Sequence, residues 1–265
     1  MASEERDDRL RRPRLGLALS GGAARGAAHG GVLHVLREEG IEVHCIAGTS
    51  AGAIVGSFHA ANIPLPRQVE FAQALRWRSV RMLGIPKMGF IQTGEMERFL
   101  REILGDRRIE ELPIPFAVVA TDFRTATRVV FREGSLVHAL TASSAIPVIF
   151  SPVLEGEMIL VDGGVSDNLP VQLCRDLGAD IVLGVNVVPD FRGDRRLRNL
   201  FEMAMATFDL LTLYSTKPGV AQADLCIHPE VARFHPAELE RVEEMVARGA
   251  VAMRRALPDL RRLLG

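Results

Sequence analysis

The chain has 265 residues, 48% of them hydrophobic, enough to bury a substantial core in one large α/β domain. Its 33 acidic residues nearly cancel its 32 basic ones and only 5% of residues are aromatic, which argues against nucleic acid as a partner. Three widely spaced cysteines in apolar contexts, Cys45, Cys174 and Cys226, exclude a disulfide framework or a metal-ligand pair and fit a reducing compartment.

Residues 1–13 are charged and lack the apolar middle of a secretory leader, so they read as a tail ahead of a single domain over 14–265. The chain has no apolar run of the roughly eighteen residues a membrane span needs; the expected location is cytoplasmic, with peripheral membrane contact left open. Leu15 to Ser20 is the first expected strand, followed by a glycine-rich turn and a helix from Ala27 to Glu39 that Gly40 stops. Val43 to Ala47 is a short second strand and Ala51 to Ala61 a small-residue helix, so Ser50 falls between strand and helix. Two helices, Gln68 to Arg81 and Glu95 to Leu104, bracket an apolar loop, LGIPKMGFIQTG. Its Met82, Leu83, Ile85, Met88, Phe90 and Ile91 suit either a lid for lipid chains or the core.

Phe116 to Asp122 and Thr127 to Phe131 read as strands, and Leu136 to Ser143 as a helix ended by Pro147. Met158 to Val161 leads into Asp162-Gly163-Gly164, Ile181 to Val188 is a buried strand, and Leu225 to His228 is the last. Between these two, Leu197 to Tyr214 is apolar on nearly all sides, which predicts a buried helix, with a dimer contact or an acyl-chain wall as alternatives. Ala237 to Leu257 is an amphipathic helix expected to pack on its own domain. Strands alternating with helices predict a mostly parallel sheet covered on both faces.

Three features carry chemistry. Gly21, Gly22 and Gly26 follow the first strand and open a helix, a turn whose backbone N–H groups can converge on a phosphate or a developing oxyanion. Because position 23 is alanine and no GK[ST] exists, neither a dinucleotide fingerprint nor a P-loop is present; the same glycines also suit a plain tight turn. Ser50 lies in Gly48-Thr49-Ser50-Ala51-Gly52, where small neighbours at a strand-to-helix turn expose a nucleophile. A serine needs a base, and His228 and His235 each sit beside a proline without a catalytic-loop context, so both read as structural or surface residues. The strand-end aspartates Asp122 and Asp162, with Asp167 close by, are better placed, although turn formation is the commoner role for such residues. Pattern alone does not rank Asp162 above Asp122.

Four blocks in order, SGGAARGAAHGGVLHVLREEGI, AGTSAGAIVG, ATDFRTATRVVFREGSLVHALTASSAIPVIFSPV and DGGVSDNLPV, resemble the bacterial patatin-like phospholipases, lipid acyl hydrolases related to plant patatin and neuropathy target esterase. The resemblance implies a three-layer α/β/α fold with a mostly parallel central sheet. It implies a catalytic dyad of Ser50 and Asp162, an oxyanion hole of Gly21, Gly22 and Ala23 with Arg25, and motif glycines Gly48, Gly52, Gly163 and Gly164. It places Asp122 and Pro147 in a structural block and His29 and His34 on a packed helix. The family's third turn glycine is Ala23 here, which matters if that position requires positive φ.

The expected activity is cleavage of fatty-acyl esters of phospholipids or lysophospholipids, with no metal or organic cofactor and a homo-oligomer possible. The alternatives are an acyl-thioesterase or acyltransferase using the same dyad, and a non-catalytic lipid- or nucleotide-binding regulator.

Overall fold

The computed structural model describes residues 12–79, 92–190 and 199–265. The apolar loop through Met82 to Ile91, the polar connection 192–198 and nearly all of the charged tail lie outside the described residues. Eight strands form one sheet: β1 Leu15–Leu19, β2 Cys45–Thr49, β3 Phe116–Asp122, β4 Thr127–Phe131, β5 Val153–Glu155, β6 Met158–Asp162, β7 Ile181–Val185 and β8 Leu225–Ile227. Their order is β5-β6-β3-β2-β1-β7-β8, with β4 also paired to β3. The strands β3, β2, β1, β7 and β8 run parallel, β4 and β6 pair antiparallel to β3, and β5 pairs antiparallel to β6.

Eight α-helices accompany the sheet among the described residues: α1 Ala27–Glu38, α2 Ala51–Ala60, α3 Leu65–Ser79, α4 Thr93–Leu104, α5 Leu136–Ser143, α6 Val171–Asp176, α7 Leu200–Gln222 and α8 Val242–Leu264. The strand sequences dictate how they divide. Leu15, Leu17 and Leu19, Ile46, Phe116 and Val118, and Leu183 and Val185 join one core cluster with residues of α1, α2, α4, α5 and α8. The alternate residues Ala18, Cys45, Ala47, Ala117, Val119 and Val182 pack with Leu169 and with Leu173 and Cys174 of α6. Side chains alternate across a strand, so the sheet has one bulky and one small-residue face, both buried, as parallel sheets require.

The helix α8 packs along α1 through backbone contact: a Cβ at Gly31 would fall on the Val246 carbonyl oxygen, and one at Gly249 on that of Ala28. Gly249→Ala is therefore expected to lower stability by about 3 kcal/mol, measured by denaturant unfolding, because neither helix can move without opening the core.

The structure corrects several sequence expectations. The second strand is Cys45–Thr49, not Val43 to Ala47, and so runs directly into Ser50. The strand β5 and the helix α6 were not expected; each is short, three and six residues. Helix α5, by contrast, spans Leu136–Ser143 as expected. Cys226 is half-buried rather than core, and His34 is exposed and pairs with Glu38 at 3.2 Å, whereas His29 on the same helix is fully buried. The largest correction concerns α7. It is not buried all round: it docks through Thr212, Thr216 and Gly219, the last lying against the Leu169 carbonyl, while Leu200 is 84% and Tyr214 64% exposed. These small residues fit against the Gly163–Val165 turn and α6, and the bulky apolar residues of the helix are left facing outward.

Candidate active site

Two chain reversals meet at the C-terminal ends of β1 and β2. After β1, Ser20 to Gly26 turns into α1. After β2, Ser50 has φ 52° and ψ −125° and begins α2. This left-handed backbone in a serine costs about 1–3 kcal/mol and persists only where packing enforces it. The enforcing contacts are visible: a Cβ at Gly52 would strike the Leu19 and Ser20 carbonyls, and one at Gly48 would lie 2.7 Å from Ala53 Cα and backbone N. Both glycines are needed for α2 to lie against β1 and β2. The Ser50 amide donates to Ser143 Oγ at 2.7 Å, and Thr49 Oγ1 donates to the Asp167 carbonyl at 2.8 Å, which fixes the turn from two sides.

Register explains which aspartate reaches Ser50. One edge of β3 is taken by β4 over Val118 to Asp122. The other edge is shared: β2 pairs with Phe116 to Val119, and antiparallel β6 takes over at Ala120 to Asp122. The ends of β2 and β6 therefore abut along β3, with Asp162 opposite Ala120, the position just past Val119, which faces Thr49. Gly163 allows the chain to turn there, since a Cβ would fall on the Val119 carbonyl. Asp162 is 1% exposed, and its Oδ1 accepts the Gly164 amide at 2.7 Å while Oδ2 has no hydrogen-bond partner among the described residues. Burial pushes its pKa from 3.8 up to about 7, opposed by the Ser50 hydroxyl and the Gly164 amide.

Asp122 is also buried, but both of its oxygens are engaged. Its Oδ1 accepts the Ile159 and Arg124 amides at 3.1 Å and its Oδ2 the Thr125 hydroxyl at 2.6 Å, and these bonds, the Thr125 hydroxyl foremost, lower its pKa. It closes the β3–β4 turn. Asp167 pairs with Arg128 at 2.6 Å, although burial raises its pKa.

Of the residues expected in an oxyanion hole, Gly21 has its amide engaged by Asn168 Oδ1 at 3.1 Å. Asn168 is itself held by Thr216 Oγ1 at 2.9 Å. Among the described residues no acceptor meets the Gly22 or Ala23 amide. The Ala24 amide donates to the Pro236 carbonyl at 2.9 Å and Arg25 Nε to the Phe234 carbonyl at 2.8 Å, so Arg25 ties the turn to the segment before α8. The Ser20 carbonyl accepts from fully buried His29 Nε2 at 2.8 Å, and burial lowers the His29 pKa to about 4. Ala23 does adopt positive φ, 51°. Ala23→Gly is expected to stabilise the protein by up to about 1 kcal/mol in denaturant unfolding, because relief of the left-handed methyl outweighs the added freedom of the unfolded chain.

Ser50 stands where two cavities meet. One, of 470 Å³, is lined by Ile54, Val55, Phe58, Val69, Phe71 and Met96 among others. Its far wall is braced by rings: Phe71 meets Phe58 edge-on at 5.1 Å and stacks on Phe99 at 4.3 Å. The other, of 610 Å³, contains Gly21, Gly22, Arg25, Asp162 and Asn168, with Phe201, Met205 and Phe208 of α7 on its outer side. His235 borders this second cavity with its Nδ1 accepting the Ala237 amide at 3.2 Å, and His228 Nδ1 lies 3.4 Å from Asn186 Nδ2. Among the described residues no histidine bonds to Ser50 or Asp162, and no group of His, Cys, Asp and Glu gathers as a metal set. No described helix is long and apolar enough to cross a membrane.

Sequence reasoning missed Asn168, Ser143 and the walls of the first cavity, whereas the stretch Leu197 to Tyr214, for which a cavity wall is one expected role, lines the second with Phe201, Met205 and Phe208. The only signal for Asn168 is a polar residue just before the apolar run Leu169-Pro170-Val171.

The family model described as patatin-like phospholipase matches residues 17–175. An uncharacterised NTE family protein of Mycobacterium tuberculosis is 39% identical over 178 residues, 66% of this chain and 49% of that protein. Lysophospholipase nte1 of Aspergillus fumigatus is 32% identical over 179 residues, 65% of this chain and 12% of its own length. The chain thus spans about half of the mycobacterial relative it matches. The crystal structure of VipD from Legionella pneumophila shares the fold, with a TM-score of 0.50, 15% identity, and coverage of 94% of this chain and 67% of that one.

Proposed function

The chain belongs to the patatin-like phospholipase family, and from that premise we propose that it is a serine lipid acyl hydrolase acting on fatty-acyl esters of phospholipids or lysophospholipids. One observation carries the reading: a strained serine lies beside a buried carboxylate with one unpartnered oxygen and a pKa of about 7. A base poised near neutrality can take the serine proton without holding it too tightly.

In the proposed cycle Ser50 Oγ attacks the ester carbonyl as its proton passes to Asp162 Oδ2. The negative oxygen is met by the Gly22 and Ala23 amides, with Gly21 and Arg25 shaping the turn that presents them. Preset donors of this kind are usually the largest single catalytic contribution. Collapse of the tetrahedral adduct breaks the bond to the alcohol, which leaves with the proton from Asp162. Water then attacks the acyl-serine with Asp162 again accepting the proton, and the fatty acid departs. The outward apolar residues of α7, beside the second cavity, support contact with a lipid surface as part of the same reading.

Incubation with a fluorophosphonate probe and, separately, with phospholipid vesicles tests the proposal. The expected result is covalent labelling at Ser50 and release of free fatty acid. A protein that neither reacts with the probe nor releases fatty acid from phospholipid or lysophospholipid would not be this enzyme.

A further inference from the structure

The two cavities are separate chambers joined at a neck. Among the described residues, only Ala23, Ser50, Ile146, Ile149, Pro236 and Ala237 border both. The neck is built to hold its shape. Pro236 is tied to the glycine turn by the Ala24 amide, and Phe234 by Arg25 Nε, with the Arg233 and Arg241 guanidinium groups over the Phe234 ring at 4.9 and 4.5 Å. On the opposite side Val148 has φ 73°, a conformation unfavourable for a β-branched residue, and it lies between the two isoleucines of the neck.

Asp162 borders the second chamber and not the first. This asymmetry assigns the two halves of an ester. The leaving oxygen must receive its proton from the same carboxylate that took the serine proton, so the alcohol departs on the side of Asp162. The acyl group stays bonded to Ser50 Oγ and extends the other way, along Ile54, Val55 and Val69 toward the Phe58 and Phe71 rings. The second chamber is not a polar exit alone, because Ile149, Val188, Phe201, Met205 and Phe208 give it apolar walls of its own.

We propose, resting on the serine-hydrolase reading above, that the first chamber holds the acyl chain and the second a hydrocarbon-bearing alcohol. The preferred substrate is therefore an ester with hydrocarbon on both sides of the scissile bond. In each turnover the ester C–O bond to the alcohol breaks, the Ser50 Oγ–C bond forms, and one proton moves from Ser50 through Asp162 to the departing alcohol. Water later replaces Ser50 on the acyl carbon, and no redox partner is involved.

The test uses two ester series in mixed micelles at fixed mole fraction. Ethyl butanoate against ethyl dodecanoate varies the acyl side, and ethyl butanoate against dodecyl butanoate varies the alcohol side. Val69→Trp or Ala72→Trp narrows the first chamber; Met205→Trp or Ala206→Trp narrows the second. In the wild type both long esters are expected to exceed ethyl butanoate in kcat/KM. The first pair of variants is expected to lower the dodecanoate-to-butanoate ratio by about tenfold and leave the dodecyl-to-ethyl ratio within about twofold; the second pair does the reverse. Each ratio is internal to one protein, so partial loss of folded enzyme cancels. A swapped pattern, equal changes in both ratios, or no change in either overturns the assignment while leaving Ser50-dependent hydrolysis intact. Absence of hydrolysis and of fluorophosphonate labelling in the wild type overturns the serine-hydrolase reading and this inference with it.

Discussion

Ser50→Ala is expected to reduce ester hydrolysis to background, a loss of about 10⁴-fold or more, and to abolish fluorophosphonate labelling. The fold should survive, because the Ser50 amide bond to Ser143 Oγ and the glycine contacts that shape the turn do not involve the Ser50 hydroxyl. Ser50→Gly offers a sharper companion. It also lacks the nucleophile, but it removes the Cβ that makes φ 52° unfavourable. A gain of about 1 kcal/mol in denaturant unfolding is expected after subtracting the extra freedom glycine has in the unfolded chain. Activity lost with stability gained is the signature of strain held for chemistry. Retention of labelling in Ser50→Ala would place the nucleophile elsewhere.

Asp162→Asn is expected to lower kcat/KM by about a thousandfold, the usual scale for loss of a general base. Asparagine can still accept the Gly164 amide, so the turn at Gly163 is kept. In the wild type, activity should climb with pH and level off above about 7, since Asp162 acts as a base only when ionised.

Stability should move the other way. The folded protein keeps a proton on Asp162 between 3.8 and about 7 that the unfolded chain has already released. That contribution is fully present below pH 3.8 and is lost as pH rises through about 7, where a charge must be held in a buried site. Its upper bound is about 4 kcal/mol, from roughly 1.4 kcal/mol per pKa unit. Asp162→Asn should therefore unfold at higher denaturant than the wild type at pH 8 and converge with it near pH 4. An activity profile flat across pH 5 to 9 in the wild type, or a variant less stable at pH 8, would refute the assignment of this carboxylate.

Most of the framework was legible in the chain. Leu15–Leu19 and Ile181–Val185 are short apolar runs that only a buried strand accommodates, and Phe116–Asp122 and Thr127–Phe131 match their expected limits at both ends. The amphipathic stripe of α8 announced packing on its own domain, against α1, although the helix runs Val242–Leu264 rather than Ala237 to Leu257. Helix α7 misled because hydrophobicity all round normally means burial. Its docking residues Thr212, Thr216 and Gly219 are small and two are polar, so they carry no weight in a hydropathy pattern, while its largest apolar side chains face solvent or the second cavity. The departure at position 23 was visible as Ala23 for glycine, but whether it mattered depended on a backbone angle that residue identity does not give.

The sequence by itself determined the layers and the strand-to-helix location of Ser50, because local period and side-chain size act over a few residues; the need for glycine at 52 comes from the end of β1, where the Leu19 and Ser20 carbonyls lie against it. Residue pattern alone left Asp122, Asp162 and Asp167 open and the motif resemblance singled out Asp162; what the tertiary structure adds is the physical difference between them. All three are acidic residues at or near strand ends, and what separates them is long-range. The strand β6 arrives antiparallel on the same edge of β3 that β2 vacates, so Asp162 meets Ser50, while Asp122 is held in its own turn and Asp167 by Arg128. The same holds for the two chambers, whose walls come from segments as distant as Ile54 and Val246. Burial and proximity are properties of the packed sheet, and no spacing along the chain encodes them.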